Sequence, residues 1–419
     1  MPAKRLLMLV AALALGACAT LMPPGDARPP HPLVLVSIDA FRADYLQRGL
    51  TPNLRALADG GAEAPMRPSF PSLTFPNHYT LVTGKRPDHN GVVANLMYDP
   101  THPADPNDPR AAYFDKTKSG DGFWWNQARP MWVSAEQAGL KTGIVFWPGS
   151  TAEIDHTRAS YVMPFTKGAQ PGDEVDQLLR WMDLPAAQRP QVYILYMDPV
   201  DQEGHHHGPD SPELDAALGQ VDSAIGQLRR GLKQRGIDAD IVVVSDHGMI
   251  AVSPQRVTYI SDALGGLAPD ARTDPRYDMI YWGSVAMLNA APGHAAELDR
   301  LTRMHFDHMS CWHKRDIPAH YRFGRNPRVP GIVCLAEPGW QVGGIAGVGI
   351  GSDVGNHGYD PATPEMRAIF IANGPDILPG TKLGLFDNVD VYDFEMALLH
   401  LRPDPNDGTL TPLRAALVP

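Results

Sequence analysis

Three aspartates and three histidines stand where apolar runs of this chain end, and together they could hold a pair of metal ions. Asp39 closes Leu33-Val-Leu-Val-Ser-Ile-Asp39, and Asp201 and His205 follow Val192-Tyr-Ile-Leu-Tyr-Met-Asp198. Asp246 and His247 end Asp240-Ile-Val-Val-Val-Ser-Asp246, and His357 precedes Arg367-Ala-Ile-Phe-Ile-Ala-Asn373. Each residue alone is ordinary. A strand-terminal aspartate often caps the next helix, His205-His206-His207 reads equally as a solvated loop, and Asp246-His247-Gly248 reads as a turn. As a set they supply two groups of three ligands, and mixed imidazole and carboxylate ligation suits zinc or a similar divalent ion. Magnesium alone would call for more oxygen and fewer histidines. Two such ions about 4 Å apart can hold both ends of an in-line phosphoryl displacement.

A nucleophile would have to lie between the ions. Pro68-Ser-Phe-Pro-Ser-Leu-Thr-Phe-Pro-Asn-His78 supplies Ser69, Ser72 and Thr74, and Asn77 to Val82 reads as the start of a helix. A hydroxyl at a helix N-terminus gains from the positive end of the dipole, and metal coordination would lower its pKa. Composition does not choose among the three hydroxyls, and each could equally be an N-cap.

These residues need elements to position them. The four apolar runs are the length and type of strands buried on both faces, as in a parallel sheet. Between them, Ser211 to Gly236 carries Leu214, Ala217, Leu218, Val221, Ile225 and Leu228 at helical spacing, with Gly236 as a stop. Pro52 to Asp59, Ala295 to His305 and Asp390 to Leu401 are further helix candidates. The alternation predicts a doubly wound α/β fold, in which ligands gather at the carboxyl ends of strands. The Asp- and Pro-rich stretch 100–122 reads as a loop insertion. Residues 250–345, with a strand pattern over Met279 to Asn289, read as an inserted lobe ahead of the last metal-type motif.

The 419 residues carry a net charge of -11 and are 43% hydrophobic and 20% charged, a globular composition. So acidic a surface argues against duplex nucleic acid as a partner, and bound cations are the natural local source of positive charge for an anionic substrate. Lys4, Arg5 and the apolar run Leu6 to Leu15 predict a secretory leader too short to span a bilayer. Leu15-Gly16-Ala17-Cys18 is similar to a bacterial lipobox, with ordinary cleavage nearby as the alternative. The expected organisation is a leader over 1–18, a Pro-rich tether over 19–32 and a catalytic domain over 33–415. The expected location is periplasmic or at the outer membrane, with membrane contact only through a lipid on Cys18. Cys311 and Cys334, in an exported chain, suggest a structural disulfide.

In order along the chain come Thr74-Phe-Pro-Asn-His, Val82-Thr-Gly-Lys, His89-Asn-Gly-Val, Phe146-Trp-Pro-Gly-Ser, Asp201-x-x-Gly-His205-x-x-Gly-Pro, Ser245-Asp-His-Gly-Met249 and Asn356-His-Gly-Tyr-Asp360. This series resembles the nucleotide pyrophosphatase/phosphodiesterase family of the alkaline phosphatase superfamily, from about residue 33 to 400. The resemblance implies a mostly parallel sheet of the alkaline phosphatase type, with helices on both faces and a small inserted lobe. It implies Thr74 as the nucleophile. It also implies one zinc held by Asp201, His205 and His357, and a second held by Asp39, Asp246, His247 and the Thr74 oxygen. Asn95, with the Phe75 backbone N–H, would stabilise the phosphoryl oxygens. Phe75 and an aromatic after Trp147, either Tyr161 or Phe165, would sandwich a nucleobase, with Tyr196 lining the same pocket. The implied reaction is hydrolysis of nucleoside 5'-phosphodiesters and pyrophosphates to 5'-nucleotides through a phospho-threonine. A phosphomonoesterase or a choline-type lipid-head-group phosphodiesterase of the same superfamily is the alternative. Asn95 stands where a monoesterase would place a cation, which favours diesters.

Overall fold

The computed structural model describes residues 30–419 except 106, 109 and 268–270. The leader, Cys18 and all but the end of the tether lie outside the described residues. His31–Pro419 folds as one compact unit. No helix among the described residues is long and apolar enough to cross a membrane.

Five parallel strands form the heart of the central sheet, in the order Asp240–Val244, Leu33–Ile38, Val192–Met197, Thr142–Val145 and Tyr161–Met163. Every residue of the first four is buried, so both faces are covered and β-branched side chains fill both layers. Beyond Asp240–Val244 the sheet continues with Ala368–Asn373, which runs antiparallel to its neighbours, and then Ala62–Arg67. Helices of two groups cover the sheet. Pro52–Asp59, Pro171–Met182, Pro199–His207 and Pro212–Arg235 pack together, and Thr74–Thr83, Met131–Gln137 and Asp390–Leu398 form the other group.

The Pro212–Arg235 helix follows its sequence signals. The Ser211 hydroxyl accepts the Leu214 N–H, and Gly236 ends the helix in the left-handed conformation at φ 61°. Two other readings change. The helix expected over Ala295 to His305 is only Ala295–Leu298, followed by turns. The single strand pattern over Met279 to Asn289 is a hairpin of Tyr277–Tyr281 and Val285–Ala290, because Gly283 turns the chain at φ 122°. That hairpin continues into a four-stranded antiparallel sheet with Ile332–Ala336 and Met309–His313, over a second apolar core. Cys311 and Cys334 lie directly opposite on the last two strands and form a disulfide.

One arginine fastens this sheet's return loop into the body. Arg328 is buried; its Nε donates to Asp99 Oδ2 at 2.8 Å, and its other nitrogens donate to the carbonyls of Gly91, Phe123 and Trp124. Next to it, the Asp88 carboxylate accepts the backbone N–H groups of Gly324, Arg325 and Asn326. Burial pushes Asp99 up, but the hydrogen bonds from Arg328 and Thr101 outweigh it and hold its pKa below the ordinary carboxylate value. The ion pair therefore contributes fully above the unfolded-state carboxylate pKa and is lost as pH falls through the lower folded value. Arg328→Met removes the cation from the Asp99 carboxylate, whose Oδ2 loses its donor, and takes a donor from three carbonyls. Urea unfolding at neutral pH is expected to show a loss of about 3–5 kcal/mol, and the deficit should shrink as the pH is lowered through the acid range.

Candidate active site

Sheet polarity brings the chemistry-bearing residues together. Leu33–Ile38, Val192–Met197 and Asp240–Val244 are parallel neighbours, so Asp39, the Asp198 turn and Asp246-His247 leave the sheet at one edge. Pro199 opens the next helix, and Asp201 and His205 fall one turn apart on one face of it. Because Ala368–Asn373 runs the other way, its beginning lies at this same edge, and His357 comes in just ahead of it.

Asp39, Asp246, His247 and His357 are buried, and Asp201 and His205 are nearly so. The three imidazoles are oriented from behind. His205 Nδ1 sits 2.9 Å from the Gly355 carbonyl, His247 Nδ1 3.0 Å from that of Gly248, and His357 Nδ1 3.0 Å from that of Ser72. A carbonyl only accepts, so each Nδ1 carries the hydrogen and each Nε2 presents a lone pair. Those Nε2 atoms face carboxylates. His205 and His357 approach Asp201 Oδ1 at 3.4 and 3.7 Å, and His247 approaches Asp246 Oδ2 at 2.9 Å and Asp39 Oδ1 at 3.5 Å. Asp39 Oδ1, Asp201 Oδ1 and Asp246 Oδ2 are buried without a hydrogen-bond partner. The 2.9 Å contact of Asp246 lacks hydrogen-bond geometry, so it does not satisfy that oxygen.

Lone pairs facing lone pairs at this range call for positive charge between them. The proton equilibria show the same pull. Burial, then the charges of Asp246 and Asp201, drive Asp39 well above the ordinary carboxylate range. Burial would raise Asp201 too, but His205 and its neighbours hold it down at about 2. His205, against its own burial, is lifted to about 9 by Asp201. The donor set fits divalent cations: Asp201, His205 and His357 place ligand atoms within 4.8 Å of one another, as do Asp39, Asp201 and His247. The first group is the triplet expected from the sequence. In the second, Asp201 approaches alongside Asp39 and His247, and Asp246 touches the group through His247.

Thr74 begins the Thr74–Thr83 helix, with Oγ1 3.3 Å from His247 Nε2. The structure separates it from its rivals. Ser69 donates to Asn388 Oδ1 at 2.8 Å and Ser72 to the Tyr359 carbonyl at 2.9 Å, both buried. His78, not singled out in the sequence, holds the segment in place. Its Nδ1 lies 2.9 Å from the Thr74 carbonyl and its Nε2 2.8 Å from Ser37 Oγ, on the strand that carries Asp39. Its position one helical turn after Thr74 was the available signal.

A cavity of about 700 Å³ opens over this edge, lined by Asp39, Thr74, Phe75, Asn95, Phe165 and Tyr196 among others. Tyr196 donates to Asp39 Oδ2 at 2.6 Å, which fixes that carboxylate. Asn95 Oδ1 accepts the Phe75 N–H at 2.9 Å, so its amide nitrogen is the end left to donate. The Phe75 N–H, expected to face a phosphoryl oxygen, is instead engaged by Asn95. Of the two aromatics in doubt, Phe165 lines the cavity and Tyr161 does not. The Tyr161 ring packs near Trp181 and its hydroxyl donates to the Gln188 carbonyl, because its strand is the outermost of the sheet and this side chain points to the helix layer. Lys116 and Lys167 also line the cavity. Nothing in the loop sequences around them marked either one.

The chain is similar to several known proteins over most of its length. A family model described as type I phosphodiesterase / nucleotide pyrophosphatase matches residues 33–360. A fission yeast (Schizosaccharomyces pombe) protein described as an uncharacterized pyrophosphatase/phosphodiesterase is 35% identical over 398 residues, covering 90% of this chain and 78% of the relative. Bovine (Bos taurus) ectonucleotide pyrophosphatase/phosphodiesterase family member 3 is 34% identical over 90% of this chain, which spans only 43% of that longer protein. Among solved structures, murine ectonucleotide pyrophosphatase/phosphodiesterase 5 superposes with a TM-score of 0.84 at 29% identity, covering 93% of this chain and all of that one.

If cations satisfy the orphaned oxygens, removing them should be visible without any substrate. Chelator treatment is expected to lower the Tm, and re-added divalent metal at a hundredfold excess over its Kd should restore about 2.7 kcal/mol per site. The recovery should weaken towards acid pH, as the carboxylates and imidazoles take protons instead. Calorimetry with and without chelator checks both.

Proposed function

We propose, from the premise that this chain is an enzyme belonging to the type I phosphodiesterase / nucleotide pyrophosphatase family, that it is a two-zinc hydrolase of nucleoside 5'-phosphodiesters and pyrophosphates, with Thr74 as nucleophile. The observation that carries the reading is the placement of Thr74 Oγ1 beside His247 Nε2 at a helix N-terminus, at the edge of a cluster with three unsatisfied carboxylate oxygens. Zinc suits the mixed imidazole and carboxylate donors, with one ion assigned to Asp201, His205 and His357 and the other to Asp39, Asp246 and His247. Bound there, the cations would supply the positive charge that lowers the threonine pKa and stabilises the phosphoryl oxygens.

The chain's own residues do the rest. His78 fixes the Thr74 backbone, so that Oγ1 enters in line with the phosphorus–leaving-group bond. As Oγ1 gives up its proton and bonds to phosphorus, the bond to the leaving group breaks and releases an alcohol or phosphate. The phospho-threonine still carries the nucleoside, and water then cleaves its Oγ1–P bond to free the 5'-nucleotide and Thr74. Asn95 offers its amide nitrogen to a phosphoryl oxygen, its Oδ1 being held by Phe75. Asn95 adds no charge, which suits the single negative charge of a diester. Phe75 and Phe165 offer faces for a nucleobase. A murine structure in this family is described as an inactive threonine-to-alanine form in complex with AMP, which supports both the nucleophile and the nucleotide pocket. The reading includes export, from the basic and apolar leader, with Cys18 as a lipid-anchor candidate.

Thr74→Ala is expected to cut kcat for p-nitrophenyl thymidine 5'-phosphate by about 10⁴-fold or more while AMP still binds by calorimetry; full activity would remove the mechanism. Each step inverts phosphorus, so solvolysis of a chiral phosphorothioate diester should show net retention. Phe165→Ala should raise KM for the thymidine substrate about tenfold, the scale of one stacked base, with kcat little changed. In a panel with p-nitrophenyl phosphate and a choline phosphodiester, fastest turnover of either rival would overturn the substrate assignment.

A further inference from the structure

The opposite edge of the central sheet carries a second cluster of metal-type side chains. His31 leads into the Leu33–Ile38 strand, Asp240 begins the Asp240–Val244 strand, and Asp376 follows the Ala368–Asn373 strand. The first two strands start at this edge and the antiparallel third one ends there. One ligand atom from each of the three residues lies within 4.8 Å of the other two. None of them belongs to the catalytic cluster, which sits at the strands' other ends.

The cluster is built rather than incidental. His31 Nδ1 lies 2.9 Å from Asp376 Oδ2, and the Asp376 backbone N–H donates to Asp240 Oδ1 at 3.1 Å. The Asp240 N–H donates to the Pro32 carbonyl at 2.9 Å, which fixes the chain immediately after His31. Gly374 makes room: a Cβ there would meet Asp240 Oδ1 at 2.3 Å. Asp240 is fully buried, yet its Oδ2 has no hydrogen-bond partner. Among the described residues, no lysine or arginine forms an ion pair with either carboxylate, and His31 alone pairs with Asp376. An unpartnered carboxylate oxygen at 0% exposure carries a desolvation penalty that a bound cation beside it relieves.

We propose that His31, Asp240 and Asp376 form a third, structural divalent-cation site that clips the entry of the catalytic domain to the non-catalytic edge of the sheet. One imidazole and two carboxylates suit zinc or manganese. His31 and Asp376 are each about one-third exposed, which leaves a path for the ion and room for water to complete its shell. The cation joins three strands that are adjacent in the sheet but distant in sequence. Its expected contribution is therefore to stability and to anchoring of the N-terminal segment, not to turnover.

The test uses the full chain stripped by chelator and titrated with zinc chloride. Asp376→Asn should bind one equivalent fewer than the unsubstituted protein, with kcat for p-nitrophenyl thymidine 5'-phosphate unchanged. His31→Ala, at the edge of the fold and least able to disturb folding, should lose the same equivalent. Adding His357→Ala should weaken a different equivalent, so failure of this site and failure of the catalytic assignment can be told apart. Equal zinc stoichiometry in the unsubstituted protein and both single variants would overturn the proposal. So would a Tm that responds to pH but not to zinc when His357→Ala, Asp201→Asn and His247→Ala together have disabled both catalytic ligand sets, since the Asp240–Asp376 pair would then hold only a proton.

Discussion

Negative charge is concentrated where the protein can least solvate it. Asp39, Asp201 and Asp246 converge at one edge of the sheet, two of them wholly buried, and each directs an unsatisfied oxygen into the same small space. Burying one such charge is expensive, and burying three together is worse unless cations or protons compensate. The constraint also explains the scaffold. Neighbouring strands stand about 4.8 Å apart, so groups leaving three adjacent strand ends span roughly the distance needed to seat two cations about 4 Å apart. The Asp39 strand is the middle one of the three, and its carboxylate can reach toward both sides.

That demand fixes the surroundings of Thr74. Three histidines must turn their Nε2 atoms inward, and each does so by placing Nδ1 on a backbone carbonyl. One of those carbonyls belongs to Ser72, two residues before Thr74, so the wall of the carboxylate–imidazole cluster and the Thr74 segment are the same piece of chain. Asn77 closes that segment on itself, accepting from the Ser69 N–H and donating to the carbonyls of Pro71 and Leu73. His78 then ties it to Ser37. Thr74 is thereby placed by several independent contacts, the preorganisation that the proposed in-line displacement would require.

Much of this was legible because it rests on local patterns. The buried strands Leu33–Ile38, Val192–Met197 and Asp240–Val244 are continuous apolar runs, and the residues that end them are the ones the structure gathers. The Ala62–Arg67 strand was not legible: Ala-Glu-Ala-Pro-Met-Arg alternates but has no β-branched residue and includes a proline, and pairing on both sides makes it a strand. Thr142–Val145 and Tyr161–Met163 are too short to stand out. Tyr161 and Phe165 could not be separated by spacing, because which of them faces the cavity depends on where the outermost strand stops. Arg328 and Asp99 meet across 229 residues, and no local pattern encodes such a pairing. Composition left Ser69, Ser72 and Thr74 equal and only the motif resemblance pointed to Thr74; the buried partners of Ser69 and Ser72 depend on distant residues.

The single antiparallel strand has the widest consequence. In an all-parallel sheet the carboxyl ends hold the ligands and the amino ends are merely closed off. Reversing Ala368–Asn373 changes that at both edges. Its beginning brings His357 to the cluster of Asp39, Asp201 and Asp246, a side chain that a parallel strand would have sent to the far side. Its end delivers Asp376 to the opposite edge, beside the start of Asp240–Val244. The Asp240–Val244 strand is therefore bracketed by carboxylates, with Asp240 at one end and Asp246 just beyond the other, each with one buried oxygen that has no hydrogen-bond partner. Strand direction thus decides which residues meet, and local sequence decides only which residues are available to meet.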